Sequence, residues 1–222
     1  MGELTKNDIA PHPASTQDIV LLHGLWLGSW IMRPLRRRLE ALGFRVFLFD
    51  YSSRKQTVQA NAARLARFIV GLNLTGPVHL VTHSLGGLVA LNMLSIHPQI
   101  SVSRFVALGP PFAGSRVAQW FAGLPGGREL LGLSLTGALQ GDGLGAVPAG
   151  VDIGVIAGNE GFGPATFLPS VDRPNDGTVA VSETALQGIS ARIELPLSHM
   201  GLILRSRALP PVTKFLDTGQ FE

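Results

Sequence analysis

From Ile19 onward, short runs in which every position is apolar alternate with longer stretches whose apolar positions recur every three or four residues. The first kind reads as strands covered on both faces, the second as amphipathic helices. Ile19-Val20-Leu21-Leu22 is the first such run and ends at His23-Gly24-Leu25-Trp26. Residues 31–42 then bring Leu35, Leu39 and Leu42 to one helix face, and Gly43 stops the helix. A second strand over 45–49 is closed by Asp50-Tyr51-Ser52-Ser53, and a helix over 58–71 turns Ala62, Leu65, Phe68 and Ile69 inward. The third strand begins at Val78 and passes through Ser84 into an apolar helical pattern with almost no linker. Residues 105–108, 151–157 and 192–197 supply three more strands. Strands alternating with helices predict the α/β class: a mainly parallel sheet of about six strands with helices on both faces.

Residues 110–150 break this rhythm. They are rich in Gly and Pro, with helical patches at 117–121 and 128–139, and are expected to form a small cap-like insertion or to leave the site open. Residues 1–18 are polar, contain Pro11 and Pro13, and are expected to be a flexible lead-in to a single domain over 19–222. A chain of 222 residues can bury one core, and 45% hydrophobic against 15% charged residues fits buried strands and excludes a disordered chain. The apolar stretches are interrupted well before the ~18 residues a membrane span needs, so no stable membrane insertion is expected. With no signal-like segment at the start, the expected location is the cytoplasm.

The absence of cysteine excludes disulfides, thiolate nucleophiles and cysteine-based metal sites. Net charge is +3, and the one tight basic cluster, Arg33, Arg36, Arg37 and Arg38, falls within a predicted helix and reads as its solvated face. Nucleic acid is therefore not an expected partner. His79 and His83 straddle a strand and a turn rather than one helix face, and Gly86-Gly87 lacks the Lys-Ser or Lys-Thr of a phosphate loop. Neither a metal nor a cofactor is expected.

The chemistry gathers around Thr82-His83-Ser84-Leu85-Gly86, where strand meets helix. A serine at so sharp a turn sits in strained backbone and needs small neighbours; the other reading is a helix N-cap. The stretch resembles the nucleophile elbow of the α/β-hydrolase family, Gly-x-Ser-x-Gly, with Thr82 in place of the leading glycine. The resemblance implies an α/β-hydrolase fold with Ser84 as nucleophile. A serine hydroxyl needs a base, and of the six histidines His199 follows the last strand, at the sheet edge where Ser84 also lies. The imidazole needs a carboxylate. Asp176, Asp172 and Glu160 lie between serine and histidine; the Asp176-Gly177-Thr178-Val179 stretch resembles the acid loop of bacterial lipases and esterases, which favours Asp176.

In this family the oxyanion is held by two backbone N–H groups. One belongs to the residue after the nucleophile, here Leu85. The other belongs to the loop after an early strand, where His23-Gly24-Leu25 matches and indicates Leu25. Gly109-Pro110-Pro111-Phe112-Ala113-Gly114-Ser115 resembles a loop of lipase-like hydrolases. Phe112, Trp26, Trp30 and Met200 are candidates to line an acyl pocket, and each could equally fill core volume. The resemblance implies a compact lipase- or esterase-like serine hydrolase that cleaves apolar acyl esters, as small-molecule substrates, through an acyl-serine intermediate. The same three side chains would serve an acyltransferase with an alcohol acceptor. A non-catalytic ligand-binding protein on this fold, or a lipid-surface binder using residues 116–139, are readings of a different class. Acyl length and oligomeric state are not encoded in any motif.

Overall fold

A computed structural model of the chain describes residues 17–135, 147 and 149–222. The expected lead-in falls almost entirely outside the described residues, as does the end of the helical patch at 128–139. The sheet has six strands: β1 (Asp18–Leu22), β2 (Arg45–Phe49), β3 (Val78–His83), β4 (Val102–Leu108), β5 (Asp152–Gly158) and β6 (Ala191–Leu195). Their order is β2-β1-β3-β4-β5-β6, and every neighbouring pair is parallel. The helices are α1 (Arg33–Glu40), α2 (Val58–Gly71), α3 (Leu85–Ile96), α4 (Arg116–Ala122), α5 (Gly127–Leu131), α6 (Gly201–Leu204) and α7 (Leu209–Thr218).

The continuous apolar runs have a direct cause. Side chains alternate across a strand, so Val20 and Leu22 enter one core with Leu65 and Ile69 of α2 and Leu88 and Leu91 of α3. Ile19 and Leu21 enter a second core on the opposite face, with Leu35 and Leu39 of α1 and Val212 and Phe215 of α7. Both faces of β1 are therefore dry. Helix α3, which carries the elbow, is buried at every position from Leu85 to Leu94, so the element behind Ser84 is held from all sides.

Two sequence expectations are corrected. The helix expected over 31–42 begins as a 3-10 turn, Ser29–Met32, and becomes α-helical at Arg33, where Pro34 suits the first turn. The last strand ends at Leu195 rather than 197, because Leu197 N–H turns back onto Leu195 C=O at 2.8 Å. That early exit swings the following loop over the sheet edge. Helices α4 and α5 occupy the first part of the irregular stretch after β4.

Candidate active site

Ser84 lies between the last residue of β3 and the first of α3, with φ 53° and ψ −122°. A non-glycine residue holds that conformation only where its surroundings over-determine it. Here the Ser84 N–H donates to Leu108 C=O at 2.9 Å, and its C=O accepts from Gly87 N–H at 2.9 Å. Gly86 makes the turn possible: a Cβ there would lie 2.7 Å from the His23 carbonyl oxygen. Thr82 is fully buried in the place of the family's leading glycine, and the turn accommodates it. Ser84 occupies the N-cap position of α3, yet its hydroxyl makes no capping bond. The side chain is thus left for another role.

The loop after β6 brings His199 to the same edge, where its Nδ1 lies 2.6 Å from Asp176 Oδ2. Asp176 Oδ1 accepts from the N–H groups of Thr178 at 2.9 Å and Val179 at 2.7 Å, and the whole side chain is buried. Asp176 C=O also accepts the His199 N–H at 2.8 Å. With Nδ1–H committed to the carboxylate, a neutral His199 carries its lone pair on Nε2. Asp172 is exposed and accepts from Ser182 Oγ, and Glu160 is exposed at the end of β5; neither is paired with His199.

Two glycines that sequence reading did not single out for this purpose clear the space. Gly109, with φ 56°, directly follows β4 and lies against the pair: a Cβ there would lie 3.0 Å from Asp176 Oδ2 and 3.1 Å from His199 Nδ1. A Cβ at Gly158 would lie 2.8 Å from Asp176 Cβ. The one signal for either in the sequence is a glycine at the end of an apolar strand.

The loop after β1 approaches from the other side. A Cβ at Gly24 would lie 3.1 Å from Ser84 Cβ, tighter than side chains ordinarily pack, so glycine suits a backbone that passes this near the serine. Among the described residues neither the Leu25 nor the Leu85 N–H donates to a protein acceptor, and Leu85 stands in the first turn of α3, where N–H groups are left over. His23 holds the loop: its ring stacks on Tyr51 at 4.2 Å, its Nδ1–H faces Gly24 C=O at 2.9 Å, and Tyr51 Oη donates to its C=O at 2.7 Å. Burial lowers its pKa.

A cavity of about 240 Å3 opens over Ser84 and His199, walled mainly by apolar side chains such as Leu25, Val117, Phe121, Leu131 and Val179. Trp26 and Met200 are among the residues that line it. Phe112 does not: it is buried in the core, edge-to-face with Phe105 at 6.5 Å. Trp30 lies exposed away from the cavity lining. Helices α4 and α5 cover the cavity and are tied down at several points. Glu183 accepts from Arg116 N–H at 2.6 Å and from Ala180 N–H at 2.8 Å, while Trp26 Nε1–H donates to Leu130 C=O at 2.9 Å. Burial raises the Glu183 pKa. Among the described residues no three His, Asp or Glu side chains converge as a metal-ligand set, and no helix is long and apolar enough to cross a membrane.

Comparison with known proteins agrees with this architecture. Residues 19–214 match the family model described as "Alpha/beta hydrolase family". Among curated proteins, the lysosomal thioesterase PPT2 of Homo sapiens is 29% identical over 112 residues, and that of Bos taurus 28% over 113. Each match covers 47% of this chain but only 37% of the relative. Among solved structures, the mature lipase BlEst2 of Bacillus licheniformis superposes with a TM-score of 0.78 at 21% identity, covering 95% of this chain and 94% of that one. The carboxylesterase CesB of Bacillus subtilis gives 0.59 at 15% identity, covering 94% and 86%. At such identities the likeness shows the fold.

Proposed function

The chain belongs to the alpha/beta hydrolase family, and from that premise we propose that it is a serine carboxylic-ester hydrolase acting on apolar acyl esters, with residues 19–222 as its catalytic unit. Ser84 Oγ attacks the ester carbonyl while His199 Nε2 takes its proton. Asp176 fixes the His199 tautomer and stabilises the imidazolium that forms. The tetrahedral oxyanion is held by the N–H groups of Leu25 and Leu85, such donors being worth ~10²–10³ in rate each. His199 returns the proton to the leaving alcohol. Water, activated by His199 in the same way, then releases the acid from the acyl-serine.

The observation that carries this reading is that His199, its Nδ1 held 2.6 Å from the buried Asp176 carboxylate, faces the same apolar cavity as a serine held at φ 53°. Its test is hydrolysis of p-nitrophenyl esters of increasing acyl length. Ser84→Ala is expected to lose at least about 10³-fold in kcat; a variant that keeps the wild-type rate, or a folded wild type inert on every ester, defeats the proposal. Adding a short alcohol separates hydrolysis from acyl transfer.

The 29% identity to a thioesterase over 112 residues favours a second reading, in which the scissile bond is a thioester. The same attack serves, but a thiolate leaves with less help from the imidazolium. Rates on an oxygen ester and a thioester of the same acid decide between them.

A further inference from the structure

His83, the residue between Thr82 and Ser84 in the elbow, has no part in the proposed acyl-transfer steps, yet it is buried against the machinery. Its Nε2 lies 3.0 Å from the His199 carbonyl oxygen, a contact that closes across 116 residues of chain. Because a carbonyl only accepts, Nε2 carries the proton and Nδ1 holds the lone pair. That Nδ1 is buried and has no partner. The ring therefore gives up half its hydrogen-bonding capacity, and the bond it keeps is the one to His199.

The two imidazoles also touch, with centroids 4.5 Å apart and planes tilted by 47°. His199 is thus suspended at three points. Its N–H donates to Asp176 C=O at 2.8 Å, its ring Nδ1 lies 2.6 Å from the Asp176 carboxylate, and its C=O receives His83. Two of these anchors belong to the acid loop. The third belongs to the strand end that carries Ser84 itself. Burial, then the neighbouring His199 and His23, hold the His83 pKa well below its ordinary value. It therefore stays neutral and adds no repulsion when His199 becomes an imidazolium.

We propose that His83 is a positioning residue, which by its Nε2–H bond to the His199 carbonyl and its ring contact fixes the His199 imidazole relative to Ser84. Base and nucleophile would then share one mount, so that movement of the elbow carries both. The inference rests on the roles proposed above for Ser84 and His199.

Three variants test it. His83→Phe keeps a ring and loses the donor; His83→Gln places an amide N–H at the reach of the imidazole Nε2; His83→Asn stops at the reach of Nδ1. On a p-nitrophenyl ester that the wild type cleaves, His83→Phe is expected to lose ~10²-fold in kcat, the order of loss that misplacing a catalytic group by about 1 Å produces, with KM within about twofold. His83→Gln should recover to within about tenfold of wild type, and His83→Asn should not. Thermal melting reports packing separately. A His83→Phe enzyme with wild-type kcat overturns the proposal, as does a glutamine variant that loses as much kcat as phenylalanine. A second readout needs no turnover: the downfield proton of His199 Nδ1–H in NMR spectra should shift or broaden in His83→Phe and persist in His83→Gln. If no ester is cleaved by wild type, the ester-hydrolase reading falls, and the proton signal still decides the positioning role, an unchanged signal in all three variants overturning it.

Discussion

At the scale of single residues the site depends on what is left out as much as on what is present. Gly109 has the conformation and the space that a side chain would deny it, since its Cβ would press on both Asp176 Oδ2 and His199 Nδ1. Gly109→Ala should therefore displace the pair and lower kcat by ~10²-fold, a loss out of proportion to the one methyl added. A kcat within twofold of wild type would show that the pair can yield. Asp176→Asn keeps the shape but lets the amide favour the wrong His199 tautomer; kcat on a p-nitrophenyl ester should fall by ~10⁴-fold with the fold retained by circular dichroism. Ser84, Asp176 and His199, the residues of the proposed triad, were legible as candidates in the sequence because each needs a specific chemical group in a specific context. Gly109, Gly158 and His83 were not assigned, because each acts through a contact with chain that lies at least 18 residues away and no local pattern records such a contact.

At the scale of elements, Glu183 joins α4 to the acid loop. Its two carboxylate oxygens accept from Arg116 N–H, at the start of the helix, and from Ala180 N–H, four residues after Asp176. Removing the carboxylate leaves both donors without an acceptor, at ~1–3 kcal/mol for each that stays dry. Glu183→Ala should lower Tm by several degrees, at ~2–4 °C per kcal/mol for a chain of this size, and should loosen the cavity roof made by Val117 and Phe121. A melting temperature unchanged within a degree would show that water replaces the carboxylate at no cost. The six strands and the long helices were legible because apolar runs and helical periodicity follow directly from burial on two faces. The roof was legible only as an irregular stretch. Its short helices are held by bonds to residues 54, 183 and 26 rather than by a periodic face of their own, and such bonds leave no pattern in the sequence around them.

For the molecule as a whole, the doubly covered sheet that gives the site a rigid floor also traps histidines. His79 sits in β3, near the edge remote from the site, buried and with its Nδ1 unpaired. Desolvation first, then the Arg104 charge, depress its pKa to about 4, against an opposing pull from Asp18. The fold thus prefers the neutral ring, while the unfolded chain takes up a proton near 6.5. Stability from this group is complete above the unfolded value and is lost as pH falls from about 6.5 toward 4. The loss is on the order of 3 kcal/mol, since each pKa unit corresponds to ~1.4 kcal/mol. Glu183 has the opposite sign: its raised pKa makes the protonated form the better fit, so its contribution is present in acid and declines as pH rises through the shifted value. The net slope in acid is therefore a contest between a trapped histidine and a trapped carboxylate. Urea unfolding of wild type and His79→Gln at steps from pH 7.5 to 4 separates them. The variant should unfold with a visibly shallower pH dependence between 6.5 and 4, and residual slope should remain because His23 and His83 are depressed in the same direction. Parallel curves for the two proteins would mean that His79 is protonated in the fold without penalty, and that water reaches the sheet where the packing leaves no room for it.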